Sequence, residues 1–267
     1  MTLFHIFLVA IIQGLTEFLP ISSSGHLILL PKLTGMADQG LAIDVAVHVG
    51  TLMAVMIYFW SDLRDAILGL PRLMSGRADT AGSRLALLLV VASIPVIAFG
   101  ILLKVTGLSD MLRSLTVIGW STLIFAFVLY WADQTGTTKK QSTNWNMTDA
   151  MVIGVWQAVA LIPGTSRSGI TITGARFLGY AREDAARISM LMSVPTIIAS
   201  GVFLGGEVAM QADLGLLRDG AIAAVFAFAA AYLALSVMMR LLRRISFTPY
   251  VIYRVVLGFL ILAAAYS

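Results

Sequence analysis

Two short polar clusters, each interrupting an apolar stretch, contain the residue types that could do chemistry. They occupy residues 20–26 and 163–169. The first places Ser22, Ser23 and Ser24 just before His26. A serine becomes a nucleophile when a base takes its proton, and histidine is the usual base. The first cluster therefore predicts either a nucleophile with its base or, more simply, a helix break with a serine N-cap.

A carboxylate precedes this cluster. Glu17 lies in the apolar stretch 14–19, where an ionised side chain costs about 2.5–3.5 kcal/mol on insertion scales. Gln13 is four residues earlier and so falls on the same helical face. The pair could present a carboxylate and an amide to a common cavity. The alternative is a glutamate satisfied by backbone or by an arginine, with a role in packing only.

The second cluster supplies the positive charge. Arg167 stands between Ser166 and Ser168, just before Gly169 and a new helical run. Backbone N–H groups at a helix start, hydroxyls and a guanidinium together form a cradle for phosphate, although the spacing is not that of a nucleotide P-loop. Pairing of Arg167 with Glu17 for structure alone is the alternative. Together the two clusters suit hydrolysis of a phosphate ester or anhydride on a lipid.

The composition places these residues in a membrane. Of the 267 residues, 59% are hydrophobic and 12% charged, against roughly 25% charged in a soluble domain. The absence of cysteine from the sequence excludes disulfides and thiolate sites, and three histidines leave little room for a histidine cage. The net charge of +4 comes without a basic stripe interleaved with aromatics, so we expect no nucleic-acid partner.

The pattern of apolar stretches predicts an all-α integral membrane protein with a single polytopic domain, 1–267. A bilayer core about 30 Å thick needs about 20 helical residues. Two further stretches, 3–19 and 149–162, run into the polar clusters, and only about ten residues follow before the next polar break. We expect each to form a re-entrant helical hairpin whose irregular backbone is satisfied by protein or a water-filled cavity. The six stretches expected to cross are 41–60, 85–103, 114–132, 188–206, 219–239 and 249–266.

The distribution of basic residues predicts orientation. One set of polar breaks contains twelve lysines and arginines and the alternate set contains four. The bias places the twelve in the cytoplasm and both termini outside, so that the first cluster enters from outside and the second from the cytoplasm. The twelve are Arg64, Arg72, Arg77, Arg84, Lys139, Lys140, Arg176, Arg182, Arg187, Arg240, Arg243 and Arg244; the four are Lys32, Lys104, Arg113 and Arg218.

An inverted-topology repeat would make the two polar clusters enter the membrane from opposite sides. Four residues of the first cluster region, Gln13, Ser22, Ser24 and Gly25, recur 144 positions later as Gln157, Ser166, Ser168 and Gly169. A second similarity relates 49–54 to 194–199. We expect one repeat over about 1–133 and another over about 145–267. Chance similarity among apolar helices is the alternative.

The motifs of both clusters resemble those of a known family. Residues 13–26 resemble the first signature of bacterial undecaprenyl-diphosphatases of the bacitracin-resistance type, and 163–169 resemble the second. The likeness continues through 44–51 and 245–254 and so covers essentially the whole chain. It implies an inner-membrane enzyme that hydrolyses undecaprenyl diphosphate to the monophosphate carrier of peptidoglycan synthesis, conferring bacitracin resistance. It also implies a site facing the periplasm, two interlocked repeats, a homodimer and a divalent cation, Mg or Ca.

The resemblance implies roles for individual residues. Glu17 and His26 take acid–base and water or metal roles, Ser23 is the candidate nucleophile, and Arg167 binds the diphosphate. Gln13 stands at the first acidic position of the family pattern; a neutral amide is a poor ligand for a hard cation, so Glu17 must supply most of the metal binding. Attack by Ser23 or by activated water stays open. The remaining substrate-binding candidates are Gln13, Ser22, Ser24, Gly25, Ser166, Ser168 and Gly169.

Two other classes share part of this pattern. Membrane phosphatidic-acid phosphatases have a similar Ser-Gly-His and Ser-Arg, but they also need a histidine six residues after the arginine, where this chain has Thr173, and an upstream Lys and Arg-Pro motif that is missing from the sequence. A lipid-phosphate transporter or flippase would also use inverted repeats and broken helices. Phosphate release by the purified protein distinguishes an enzyme from a flippase.

Overall fold

The structure is a computed structural model that describes residues 1–108, 112, 114–209 and 214–266, with the side chains of 32, 33 and 205–209 left out. This part of the chain forms helices and a short 3-10 turn, Ser142–Asn144, but no strand. The eleven α-helices of this part are α1 Leu3–Glu17, α2 Ser23–Thr34, α3 Gly40–Tyr58, α4 Trp60–Met74, α5 Ala81–Thr106, α6 Leu115–Thr135, α7 Met147–Val159, α8 Arg167–Phe177, α9 Arg182–Ala209, α10 Leu214–Leu241 and α11 Thr248–Tyr266.

Six of these helices are long and apolar enough to cross a membrane. They are α3, α5, α6, α9, α10 and α11. Each coincides with one of the six stretches predicted from the sequence, so the all-α membrane fold is confirmed. In α9 the apolar segment is Arg182–Leu204, which begins six residues earlier than expected because the first turn of that helix is polar.

Helix α4 lies where the sequence indicated only a polar loop. It buries Leu63, Ala66 and Gly69 and packs against α5, while Leu68 and Met74 on its other side are exposed. The buried residues follow the helical spacing i, i+3, i+6 of an amphipathic helix. A search for continuous apolar spans passes over such a helix because charged residues interrupt it.

Two pairs of short helices flank the polar clusters. Helices α1 and α2 are joined by residues 18–22, and α7 and α8 by 160–166. With 12 and 11 residues, α2 and α8 are each less than about 20 Å long at 1.5 Å per residue and are too short to cross a bilayer. Their re-entrant course and the inverted repeat stay predictions.

Each short pair packs against helices from the opposite half of the chain. Helix α1 packs on α10, and α7 packs on α5. The α1–α10 approach depends on Gly14, where a Cβ atom would be 2.6 Å from the carbonyl oxygen of Ala227. A larger side chain would force these helices apart. The packing thus fixes both polar clusters near the middle of the bundle.

A buried ionic cluster ties the second half of the chain to α6. Asp133 accepts from Arg176 at 3.2 Å, from Arg182 at 2.7 Å and from the backbone N–H of Phe247 at 3.0 Å. Arg176 is one of the twelve basic residues from which the orientation was predicted. It is only 1% exposed and also donates to the carbonyl of Tyr180. It therefore serves packing, because a buried guanidinium needs its partners. Arg113, in the alternate set, lies outside the described residues.

Candidate active site at the junction of the two breaks

An ion pair joins the two polar clusters. Glu17, the last residue of α1, and Arg167, the first residue of α8, meet with Arg167 Nη2 2.7 Å from Glu17 Oε1. The side chains are 7% and 15% exposed. A buried carboxylate needs an opposite charge and hydrogen bonds to offset its desolvation. Two residues that the sequence singled out, 150 positions apart in the chain, therefore form one site.

The second oxygen of Glu17 receives two further donors. Gln13 Nε2 donates to Oε2 at 2.9 Å, and the hydroxyl of Ser23 donates to the same atom at 2.7 Å. A carboxylate at this distance from a hydroxyl is placed to accept its proton. In this structure the candidate base that contacts Ser23 is thus Glu17, whereas the sequence left both Glu17 and His26 as candidates.

The two helix breaks are the segments that contain the polar clusters: residues 18–22 between α1 and α2 (the first break) and residues 160–166 between α7 and α8 (the second break). Both have a strained backbone. Ser22 and Ser166, which correspond in the predicted repeat, have φ angles of 73° and 70°. Non-glycine residues in this region cost of order 1–3 kcal/mol and cluster at functional sites. Each hydroxyl also lies near that of the serine two residues later, 3.2 Å for Ser22 and Ser24 and 3.1 Å for Ser166 and Ser168. Each break therefore presents a helix start lined with hydroxyls.

Cross-contacts connect the two breaks. Ser168 donates to the carbonyl oxygen of Leu19 at 2.9 Å. Ser166 caps α8 by accepting from the N–H of Gly169 at 3.1 Å. Ser166 and Ser168 are buried, whereas Ser24 is exposed. The hydrogen bond from Ser168 to the backbone carbonyl of Leu19 therefore holds the second break against the first, in addition to the ion pair.

The carbonyls of the second break are satisfied by neighbouring helices. Thr122 on α6 donates to the carbonyl of Gly164 at 3.2 Å, and Arg254 on α11 donates to the same carbonyl at 3.1 Å and to that of Thr165 at 2.9 Å. Gly164 has a φ of +90°, and a Cβ there would collide with the Ser121 hydroxyl. Irregular backbone at membrane depth persists only when protein groups satisfy it in this way.

His26 faces away from the Glu17 network. Its Nδ1 lies 2.7 Å from the carbonyl oxygen of Ser22, and its Nε2 lies 2.6 Å from the hydroxyl of Tyr253 on α11. The two rings are stacked with centroids 5.6 Å apart. The hydrogen bonds of this imidazole thus go to the break backbone and to α11.

A cavity of about 570 Å³ opens beside the ion pair. Glu17 and Arg167 lie in its wall together with His48, whose Nε2 is 3.9 Å from Glu17 Oε2. Most of the other lining residues are apolar and come from α3 and α9, among them Leu41, Val45, Val49, Ile197 and Val202. An apolar cavity with a few convergent polar groups suits a ligand that has a polar head group and an apolar chain.

Known proteins share extensive sequence similarity with this chain. The family model for bacitracin resistance protein BacA matches residues 6–260. The chain belongs to the BacA family. Two curated proteins named undecaprenyl-diphosphatase, from Ruegeria pomeroyi and Jannaschia sp., are each 66% identical over 267 residues, covering all of both chains. A third, from Teredinibacter turnerae, is 45% identical over 99% of this chain and 100% of its own length.

The BacA motifs are brought together only in part. Gln13, Glu17, Ser23 and Arg167 form one hydrogen-bonded network. Gly25 instead lies beside Ile118 of α6 and Ile261 of α11, which are 3.9 and 3.8 Å from where its Cβ would be.

Among the residues that contact this network or its breaks, three were given no role from sequence although they lie in stretches that carry the resemblance: His48, Tyr253 and Arg254. They lie in 44–51 and 245–254, the two stretches that carry the BacA resemblance outside the polar clusters. The sequence does contain a signal for them: each is a polar residue within an apolar stretch, and polar groups at membrane depth need partners. Which helix would supply those partners depends on tertiary packing.

The network does not form a preformed cage for a divalent cation. Oε1 and Oε2 of Glu17 already accept from Arg167, Gln13 and Ser23. The described residues contain no group of three His, Asp or Glu that could hold a metal. Within the described part of the chain, Gln13 Oε1 is the acceptor of this network that is buried without a partner. One carboxylate and one amide oxygen fall well short of the six ligands that a hard cation takes.

Proposed function

We propose that this chain hydrolyses undecaprenyl diphosphate to undecaprenyl phosphate and inorganic phosphate, and that it thereby recycles the lipid carrier of peptidoglycan synthesis and confers bacitracin resistance. The observation that carries the proposal is the contact between Glu17 and Arg167, which joins the two break clusters beside an apolar cavity. The relatives that match the full chain have this activity in their names.

The cavity and the second break bind different parts of the substrate. The apolar walls from α3 and α9 accommodate the prenyl chain, since burial of CH₂ groups is favourable by about 0.8 kcal/mol each. Arg167 and the start of α8 face the diphosphate. A guanidinium fork and a helix N-terminus both favour phosphate oxygens and offset charge on the transferring phosphoryl group.

Ser23 is the proposed attacking group. Its oxygen bonds to the terminal phosphorus while its proton passes to Glu17 Oε2, 2.7 Å away. The bond from that phosphorus to the bridging oxygen breaks, and undecaprenyl phosphate leaves with the bonding electrons. Water then hydrolyses the phosphoserine, releasing inorganic phosphate and restoring the hydroxyl.

A trapping experiment separates this route from direct attack by water. Brief reaction with lipid diphosphate labelled in the terminal phosphate, followed by acid quench, should give label on Ser23. The Ser23→Ala variant should carry no label and release no phosphate, and Ser24→Ala should still be labelled at residue 23. Unlabelled wild type together with residual turnover in Ser23→Ala would favour water.

Catalysis is tested on the purified protein. Wild type in detergent should release phosphate from undecaprenyl diphosphate, and Glu17→Gln, which keeps the shape of the side chain but removes its charge, should abolish most of this release. The same proteins, reconstituted into vesicles, are also assayed for movement of the lipid across the bilayer. A wild type that moves the lipid without releasing phosphate would instead be a flippase.

We propose that the cation expected from the resemblance, Mg or Ca, comes with the substrate, whose phosphates and water supply most of its ligands. Mg²⁺ commonly combines one or two carboxylates with substrate phosphates. Calorimetry should detect little binding of either ion to the protein alone and clear binding when a diphosphate analogue is present. Tight binding of one ion to the protein alone would contradict this proposal.

We further propose that the site faces the periplasm from the inner membrane and that the protein is a homodimer. The basic-residue bias supports the orientation, and the family resemblance supports the dimer. In a chain without native cysteine, Ser24→Cys at the exposed serine should react with an impermeant thiol reagent added from outside. Labelling from the cytoplasm alone would reverse the orientation, and a monomeric mass in detergent and in nanodiscs would exclude the dimer.

A further inference from the structure

The residue that holds His26 comes from the far end of the chain. Tyr253, 227 residues away on α11, places its hydroxyl 2.6 Å from His26 Nε2. The rings are nearly parallel, with an interplanar angle of 11°. Both side chains are partly exposed, so this contact is not a by-product of close packing in the core.

The contact of His26 with the Ser22 carbonyl fixes the tautomer of the neutral imidazole. A carbonyl oxygen can only accept a hydrogen bond, so His26 Nδ1, 2.7 Å from the carbonyl of Ser22, must carry the proton. In the neutral ring Nε2 then has the lone pair, and the partner that donates to it is the hydroxyl of Tyr253. The carbonyl of Ser22 thus sets the tautomer, and the hydroxyl of Tyr253, which can either donate or accept, donates to the free Nε2.

Helix α11 is anchored at the neighbouring residue. Arg254 is fully buried and donates to the carbonyls of Gly164 and Thr165 in the second break. Its Nε and Nη1 are buried without a hydrogen-bond partner among the described residues, so loss of the two carbonyl contacts would leave the whole guanidinium buried and unsatisfied, which is costly. On the same helix, Leu257 and Ile261 pack in a cluster with Leu29 of α2. The position of Tyr253 relative to His26 is therefore set from both sides.

We propose that Tyr253 is a positioning residue of the reaction: it donates to Nε2 of the tautomer that the Ser22 carbonyl sets, and so fixes the orientation of the His26 ring at the edge of the first break. Adjacent residues of α11 then hold both breaks, Tyr253 through His26 and Arg254 through the carbonyls of the second break. The proposal rests on the proposed function only in assigning His26 to the reaction; the tautomer itself does not depend on it.

Nitrogen NMR tests the tautomer directly. In detergent-solubilised protein labelled with ¹⁵N-histidine, His26 should show a protonated Nδ1 and an unprotonated, hydrogen-bonded Nε2, assigned by loss of its signals in His26→Gln. Tyr253→Phe should shift Nε2 toward a nitrogen without a hydrogen-bond donor. Tyr250→Phe, on the same helix and packed on Phe247, should leave both signals unchanged. A wild-type His26 protonated at Nε2 instead would overturn the proposal.

Kinetics tests the role. Tyr253→Phe should lower kcat about 10-fold, the lower end of what loss of a group that orients a functional histidine costs, with KM within about twofold and an unchanged thermal midpoint. Tyr250→Phe should match wild type. Wild-type kcat in Tyr253→Phe, with His26→Gln inactive, would overturn the positioning role and leave the proposed function intact. Wild-type kcat in His26→Gln would remove His26 from the reaction and the positioning role with it.

Discussion

At the scale of single residues, scarcity of charge makes the site recognisable. Only 12% of the chain is charged, and Glu17 and Arg167 are found paired where two helices break. Their 2.7 Å contact supports opposite roles, a base beside Ser23 and a cation facing phosphate. Each also compensates the other's burial, so removing one leaves an unpaired buried charge.

Arg167→Ala is therefore expected to lower turnover by at least about 100-fold, the scale of losing a main electrostatic group in a catalytic site. Phosphate release at saturating lipid diphosphate measures it. Arg243→Ala is the matched control, because its ion pair with Glu183 is well exposed, with side chains 68% and 40% accessible. Near-normal turnover in Arg167→Ala would remove this arginine from the mechanism.

At the scale of elements, the second break is a short irregular segment held by its neighbours. Helices α6 and α11 donate to its carbonyls, and Gly164 supplies the positive φ that the turn requires. The start of α8, and with it Arg167, is positioned by this turn. Changes in the turn should thus be felt as lost stability and lost activity together.

Gly164→Ala is expected to lower the thermal unfolding midpoint in detergent. A side chain at φ +90° is strained by at least about 1 kcal/mol and would also displace Ser121. Gly201→Ala is the matched control, since no atom of the described residues lies within 4 Å of its Cβ position in α9; an alanine there should hold or raise the midpoint. Equal midpoints for Gly164→Ala and wild type would show that the turn is not strained.

At the scale of the whole molecule, buried charges connect distant parts of the chain. Asp133 joins α6 to Arg176 at the end of α8, to Arg182 in α9 and to the N–H of Phe247 before α11. This cluster lies at the opposite end of α8 from Arg167. It therefore fixes one end of the helix whose other end builds the site.

Asp133→Asn is expected to destabilise the protein by about 3–5 kcal/mol, the cost of breaking a buried pair by removing one partner. Denaturant or thermal unfolding in detergent measures the loss. Asp79→Asn, which breaks the exposed pair with Arg72, should leave stability unchanged because surface pairs contribute little. An equal effect of the two substitutions would contradict the structural role of Asp133.

The sequence determined the membrane class, the six crossing helices and the residues of both breaks, because apolar length and polar interruption are properties of consecutive residues. It also indicated Glu17 and Arg167, since buried charge is costly wherever the chain folds. Only the tertiary structure decided that Ser23 donates to Glu17, that His26 turns to Tyr253 and that His48 and Arg254 contact the site or its breaks. Those contacts depend on which helix faces which across the bundle, and packing between residues up to 227 positions apart settles that.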